Sequence, residues 1–101
     1  MYRAVRYSVV TRVPGPSWDG SRPMREQDGW DDHARFMDGL VEDGFIVLGG
    51  PLGDGTRFMH VVSVPTVDEV EARFADDPWT HAGLLNIASV EPWEILLAPE
   101  P

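Results

Sequence analysis

The central segment of the chain, residues 45–64, reads FIVLGGPLGDGTRFMHVVSV. The apolar run from Phe45 to Leu48 is typical of a short buried strand, and Asp54-Gly55 is a signal for a tight turn. The residues from Arg57 to Val64 are rich in valine and predict a further strand. The segment therefore predicts a β-hairpin, or a close variant of one, in the middle of the chain.

A helix is predicted before this hairpin, from Arg25 to Asp43, and Gly44 suits the left-handed position that ends a helix. Its inner face carries residues spaced three or four apart. They are Trp30, His33, Ala34, Met37, Leu40 and Val41. Before the helix, residues 2–11 predict a strand and residues 12–24 a loop, because the latter contain three prolines and two glycines. A loop of that length is more often a lid or a binding loop than a plain connector.

A second helix is predicted after the hairpin. Thr66 and Glu69 match a capping box, in which a threonine begins a helix and a glutamate follows three residues later. Val67, Val70 and Phe74 share the inner side of this helix. It should stop at Asp76-Asp77, because the residue before a proline, here Pro78, avoids the helical region.

The last strand is predicted from Ile87 to Leu97, and Pro92 within it favours an edge position or a bulge. Residues 79–86 fit neither a helix nor a strand pattern clearly. The elements then follow the order βαββαβ, which is the ferredoxin-like, or split βαβ, arrangement. We therefore expect one α+β domain over residues 1–101, with a four-stranded antiparallel sheet and two helices on one of its faces.

The second face of this sheet should also be apolar, because both alternating sets of side chains in the strand at residues 57–64 contain apolar residues. Two helices can cover only one face, and an exposed apolar patch of roughly 350 Å² is uncommon on a monomer. We expect a homodimer in which two sheets pack face to face. The alternative is a monomer with an ordinary half-polar sheet.

Composition excludes several classes of function. The chain has no cysteine and no lysine, which excludes thiolate metal sites, a cysteine nucleophile and a Schiff-base lysine. A net charge of −9 disfavours nucleic acid and anionic membranes as partners. No apolar run is long enough for a membrane span, and the first residues lack the apolar core of a secretory signal, so a cytoplasmic protein is the simplest expectation.

His33 and Asp77 are the candidate catalytic residues. A carboxylate bonded to one imidazole nitrogen fixes the tautomer and leaves the other nitrogen free for proton transfer. The alternatives are a hydrogen-bonded core histidine and an aspartate with a local role at a helix end. No metal site is expected, because His33, His60, His81 and Asp77 show no recognised metal-ligand spacing.

Four tryptophans are many for 101 residues, and aromatic walls are typical of small-molecule pockets. Trp79, beside the turn at Asp77, is the better pocket candidate, and either Trp18 in the long loop or Trp30, which could simply be core, would complete the wall. Arg25 stands at the entrance to the first helix and could hold a ligand carboxylate or phosphate. A surface ion pair is an equally good interpretation of Arg25.

An ordered set of short motifs resembles the YciI-like, or YCII-related, domain family over nearly the whole chain. The motifs are Gly15-Pro16-Ser17-Trp18-Asp19, Arg25-Glu26-Gln27, Trp30 to Met37, Gly49-Gly50-Pro51-Leu52, Asp77-Pro78-Trp79 and Val90-Glu91-Pro92-Trp93. The resemblance implies a dimeric α/β barrel built on the ferredoxin-like fold. It also implies that His33 and Asp77 form the family's proposed histidine–aspartate site, and that Gly50 and Pro51 line its pocket.

The wider superfamily includes isomerases and dehalogenating lyases of aromatic-ring breakdown, monooxygenases, and members with no demonstrated catalysis. We therefore expect a cofactor-independent enzyme that uses general acid–base chemistry on a small cyclic or carbonyl-containing metabolite. A lyase or an isomerase fits this chemistry. The alternatives are a non-catalytic module that binds a small ligand or a partner, and a cofactor-free oxygenase.

Overall fold

A computed structural model describes residues 5–99 of the chain. The elements are β1 (Val5–Pro14), a short 3-10 helix (Met24–Glu26), α1 (Trp30–Glu42), β2 (Ile46–Leu52), β3 (Arg57–Val62), α2 (Val67–Ala75), α3 (Pro78–His81) and β4 (Leu85–Ile95). The four strands form one antiparallel sheet in the order β2-β3-β1-β4. The predicted ferredoxin-like α+β fold is confirmed.

Both long helices lie on one face of the sheet. Leu40 of α1 and Val70 of α2 share a buried cluster with Val10 and Val62, two sheet residues that point to the same side. The cluster is completed by Phe45, Ile46 and Phe74. Because side chains alternate along a strand, the other set of strand residues must face away from the helices.

The first strand ends three residues later than the predicted one, whose residues 2–4 lie outside the described part of the chain. It continues beyond Thr11 to Pro14, because β4 goes on pairing with it after the register with β3 ends at Arg12 and Phe58. A proline is tolerated there, at the end of a strand that pairs on one side only. The extension moves Arg12 from the predicted loop into the sheet.

The first helix is shorter than predicted. Gly29, with a φ of 77°, separates the 3-10 helix at Met24 from α1, which begins at Trp30. Such a conformation favours glycine and interrupts the helix. At the other end α1 stops at Glu42, and Gly44 adopts the left-handed conformation that the sequence predicts.

The segment of ambiguous sequence after Pro78 forms the short helix α3, and β4 begins directly behind it at Leu85. β4 is an edge strand, which accommodates Pro92. The irregular register lies elsewhere in this strand, opposite the step from Thr11 to Arg12. β2 runs past the glycines to Leu52, whereas β3 ends two residues early at Val62.

The long loop after β1 folds back onto the body of the protein. The amides of Gly15 and Ser17 donate to the carbonyls of Leu84 and Gly83. This places Trp18 against a second buried cluster, which contains Phe58, Trp79, Leu84 and Leu85. The loop thereby closes one end of the site described below.

The sheet face away from the helices is apolar and only partly covered. Val61 is 2% exposed on this face, but Trp93 is 45% and Leu48 60% exposed. Val9 and Met59 lie between them in the sheet. Among residues 5–99, no helix has both the length and the apolar character needed to cross a membrane.

Candidate active site

His33 and Asp77 are in direct contact, although 44 residues separate them in the sequence. His33 Nδ1 lies 2.9 Å from Asp77 Oδ1 and 3.0 Å from Oδ2. An ionised carboxylate only accepts hydrogen bonds, so Nδ1 carries the proton and donates it. His33 Nε2 has no protein partner within the described residues and is left as an acceptor.

Asp77 is held where two elements meet. It follows α2 and caps α3, where its Oδ1 accepts a hydrogen bond from the Trp79 amide at 2.9 Å. Pro78 behind it occupies the first helical position, which suits proline. The short segment between α2 and α3 therefore fixes the position of the Asp77 carboxylate that binds His33.

Burial alone would raise the pKa of the fully buried Asp77 carboxyl. The hydrogen bond and charge of His33, the Trp79 amide and the Arg12 guanidinium outweigh burial and hold that pKa below its usual range. Asp77 is consequently ionised at neutral pH. A buried carboxylate with several donors is a fixed anchor for the imidazole.

Arg12 is the counter-charge of Asp77 and is itself fully buried. Its Nη1 donates to Asp77 Oδ2 at 2.8 Å, and its Nη2 donates to the Thr80 hydroxyl at 2.8 Å. The guanidinium carbon lies 4.7 Å from the centre of the Phe74 ring. Burial lowers the pKa of Arg12, and the hydrogen bond and charge of Asp77 oppose that shift.

Trp79 packs against His33 and does not line the cavity, contrary to the predicted wall role. Its indole is stacked on the His33 ring, with centroids 3.9 Å apart and planes 6° from parallel. Its Nε1 donates to the Asp28 carbonyl at 2.8 Å, which fixes the orientation of the indole. Trp79 therefore supports one face of the imidazole, while Asp77 binds the Nδ1 edge of the same ring.

A cavity of about 420 Å³ opens beside His33, between α1, β2 and β3. This volume is within the range of small-molecule sites. Most of its walls are apolar, and the polar side chains among them are His33, His60 and Asp38. The other lining residues are Met24, Trp30, Met37, Val41, Ile46, Val47, Leu48, Gly49, Gly50, Pro51, Phe58 and Leu85.

The predicted site residues fall into three groups. His33, Trp30, Gly50 and Pro51 line the cavity. Asp77 and Trp79 lie behind His33 and do not. The third group, Trp18 and Arg25, lies in an adjoining depression that shares Met24, Pro51 and Phe58 with the cavity.

Arg25 is exposed, and its guanidinium carbon lies 5.9 Å from the centre of the Trp30 ring. Arg22, the other arginine of this region, is paired with Asp19 at 3.0 Å. The charge of Arg22 is therefore already neutralised by a nearby carboxylate, which makes Arg25 the better candidate of the two to bind a ligand anion.

Two residues of the site are not among the sequence candidates. Arg12 falls in the predicted loop, although Ser8, Val10 and Arg12 continue one alternating set of the first strand. His60 is considered from sequence only as a metal ligand, although it shares an alternating set with Phe58 and Val62. The alternation within each strand, extended by one residue past Thr11 in the case of Arg12, is the signal that would have placed both on the inner face.

Within residues 5–99, no group of three or more histidine, aspartate or glutamate side chains is arranged to hold a metal ion. His33 uses Nδ1 on Asp77, and Arg12 uses the other side of the same carboxylate. Among the described residues, the imidazole of His33 is held through Nδ1 on a buried carboxylate, and its Nε2 is left unpaired at the edge of an apolar cavity.

A solved structure similar to this one is that of 5-chloro-2-hydroxyhydroquinone dehydrochlorinase from Burkholderia phenoliruptrix AC1100, in complex with 2,5-dihydroxybenzoquinone. The two sequences are 25% identical and the TM-score is 0.51. The likeness covers 85% of this chain and 90% of that chain. A search of curated proteins gives no match.

The YCII-related domain matches residues 9–94, a range that runs from the first strand to the last and contains His33, Asp77 and every residue that lines the cavity. With the ferredoxin-like fold, this match confirms the family resemblance carried by the sequence motifs. The chain belongs to the YCII-related domain family.

Proposed function

We propose that this protein is a small cofactor-independent enzyme, a lyase or an isomerase, that moves a proton on a small cyclic or carbonyl-containing metabolite. His33 is the proposed acid–base residue and Asp77 the residue that orients it. The observation that carries the proposal is the His33–Asp77 contact of 2.9 Å at the edge of an apolar cavity, with Nε2 left unpaired by the described residues.

The chemistry follows from the state of the two groups. Nε2 accepts a proton from a carbon or a hydroxyl of the bound compound, and the ionised Asp77 stabilises the imidazolium that forms. The same nitrogen then returns the proton to another carbon or to a leaving group. No step requires a redox partner.

The similar dehydrochlorinase supports the choice of substrate class. Its name describes the loss of hydrogen chloride from a hydroxylated aromatic ring, and its bound compound is a dihydroxybenzoquinone. For the present chain we propose a compound of the same general kind: a small ring with oxygen substituents. The apolar walls, including Trp30 and Phe58, suit the faces of such a ring.

We also propose that two copies of the chain pair through the open sheet face. Val9, Met59 and Val61 form its apolar centre, and Trp93 at 45% exposure lies beside them. Burying an exposed apolar surface of this kind is favourable at about 25 cal/mol per Å². The helices and the His60 side chain lie on the other face of the sheet.

The test is a screen of hydroxylated and chlorinated hydroquinones and of cyclic enol compounds, followed by absorbance and, for chlorinated compounds, by chloride release. A substrate that the wild-type protein converts should be converted about 10²–10⁴-fold more slowly by His33→Gln. Full turnover by His33→Gln would refute the role of His33. Tight binding without turnover by the wild-type protein would favour a ligand-binding module instead.

A further inference from the structure

His60 is a second histidine of the cavity, and nothing in the proton-transfer scheme above uses it. It lies on β3, on the face of the sheet that the helices cover, and it lines the cavity together with His33. Its ring nitrogens make no hydrogen bond to any of residues 5–99, whereas His33 is bound to Asp77. A molecule in the cavity can supply the hydrogen-bond partner that the described residues do not.

The position of the His60 ring depends on a glycine of the neighbouring strand. Gly49 pairs with His60 across the sheet, and a Cβ at Gly49 would overlap the Nδ1 edge of the imidazole. Gly49 itself lines the cavity. The missing side chain therefore leaves room for the imidazole ring over β2.

His60 is neutral at physiological pH. Burial, together with the nearby charges of Arg12 and His33, lowers its pKa to about 4, and Asp77 only partly offsets this effect. A neutral imidazole has one N–H donor and one acceptor nitrogen. It therefore offers a hydrogen bond to a ligand oxygen without competing with His33 for a proton.

We propose that His60 is a binding residue for an oxygen of the substrate, and that the cavity takes rings with at least two oxygen substituents. This inference rests on the proposed function of His33. One oxygen, or the carbon beside it, meets His33 Nε2, and a second oxygen accepts the N–H of His60. When His33 removes the proton, a C–H or O–H bond breaks and an N–H bond forms at Nε2.

The electron pair released in that step moves into the conjugated system and onto the oxygen at His60. A carbonyl thereby becomes an enolate or phenolate, and no oxidant or reductant is consumed. A neutral histidine is a known device for stabilising such an oxygen, as in triosephosphate isomerase. The two histidines thus divide the work: His33 exchanges the proton and His60 holds the developing charge.

The experiment is a calorimetric titration of the full chain with 2,5-dihydroxybenzoquinone. His60→Phe keeps a ring of similar size but removes the N–H, and should weaken binding about ten-fold. His60→Gln keeps an amide donor and should recover part of that loss. His81→Gln is the matched control, because His81 is exposed on α3 and does not line the cavity.

A second pair of variants tests the position of the ring rather than its chemistry. Gly49→Ala places a Cβ against the imidazole and should weaken binding as His60→Phe does. Gly39→Ala is its control, because a Cβ at this exposed position on α1 meets nothing within 4 Å. Binding to Gly39→Ala should equal that of the wild-type protein.

The outcomes separate this inference from the function on which it rests. If His60→Phe binds as tightly as wild type while His33→Gln still slows the turnover of a substrate, the role of His60 is wrong and that of His33 stands. If the wild-type protein does not bind the quinone at all, both the role of His60 and the proposed ring substrate fail. Equal losses in His81→Gln and His60→Phe would also overturn the assignment.

Discussion

The imidazole of His33 lies flat on the indole of Trp79, with ring centroids 3.9 Å apart. Trp79 belongs to α3, the same short helix that Asp77 caps. One four-residue helix therefore fixes both the carboxylate that binds Nδ1 and the surface that supports the ring. The orientation of His33 is thus determined from two sides by neighbouring residues of the sequence Asp77-Pro78-Trp79.

Replacing Trp79 should disturb His33 without removing it. Trp79→Leu takes away the flat surface, so we expect the Nδ1–H signal of His33 in 15N NMR spectra to broaden or shift. In Trp79→Phe, which keeps a ring, the signal should stay close to its wild-type position. Because Nε1 bonds to the Asp28 carbonyl, this variant should still lose about 1 kcal/mol of folding stability. An unchanged His33 signal in Trp79→Leu would show that the stack does not hold the imidazole.

Arg12 should be a major contributor to stability, because it compensates a buried charge. In Arg12→Met the ionised Asp77 would remain buried without its counter-charge, and we expect a loss of about 3–5 kcal/mol in urea unfolding. Arg35→Met is the control: Arg35 also pairs with an aspartate, Asp32, but its side chain is 77% exposed. Such exposed pairs contribute about 1 kcal/mol or less. Equal losses in the two variants would contradict this account of Arg12.

The fold can be predicted from the sequence because the spacing of apolar residues within each helix and strand is a local pattern. The spacing of Trp30, His33 and Met37 identifies the inner face of α1, and the alternation in β3 identifies both faces of the sheet. The same spacing puts His33 on the sheet side, where the structure has it. Element ends are less certain from sequence, since Pro14 continues β1 although proline usually marks a break.

The site is only partly encoded in such local patterns. The contact between His33 and Asp77 depends on how α1 packs against α3, which no spacing specifies. The partners of Arg12 are likewise supplied by residues that lie 65 and 68 positions away. Trp79 looks like a wall residue from its place beside the turn, but packing of the long loop buries it behind His33.

The low pKa of His60 should make folding stability depend on pH between about 4 and 6.5. In this window the unfolded chain binds a proton at His60 and the folded protein does not, so stability rises with pH and levels off above 6.5. From the two pKa values, the change amounts to about 3 kcal/mol. The Asp77 carboxyl has a lowered pKa, so its contribution is lost only below about pH 4.

Urea unfolding at pH 5 and pH 7.5 measures this dependence, and His60→Phe is the variant that should lack most of it. The other charged or titratable groups that face His60 are Arg12, His33 and Asp77, with Asp38 on the cavity wall. All four remain in the variant. If His60→Phe lost as much stability at pH 5 as the wild-type protein does, the dependence would have another source.

Pairing through the open sheet face predicts a molar mass in solution of twice the 11.3 kDa chain, measured by light scattering on a size-exclusion column. A glutamate within a close apolar contact is costly to desolvate, so Trp93→Glu should shift the mass to that of a single chain. Val67→Glu is the matched control, because Val67 is 47% exposed against 45% for Trp93 but lies on α2, on the opposite side of the sheet.

The control should keep the double mass, and a glutamate in the first turn of α2 is also favourable for the helix. Both variants add one negative charge to a chain that already carries −9, so repulsion from net charge is equal in the two. A difference between them therefore reports the position of the charge. A wild-type mass of a single chain at micromolar concentration would refute the pairing, and equal dissociation of both variants would place the contact elsewhere.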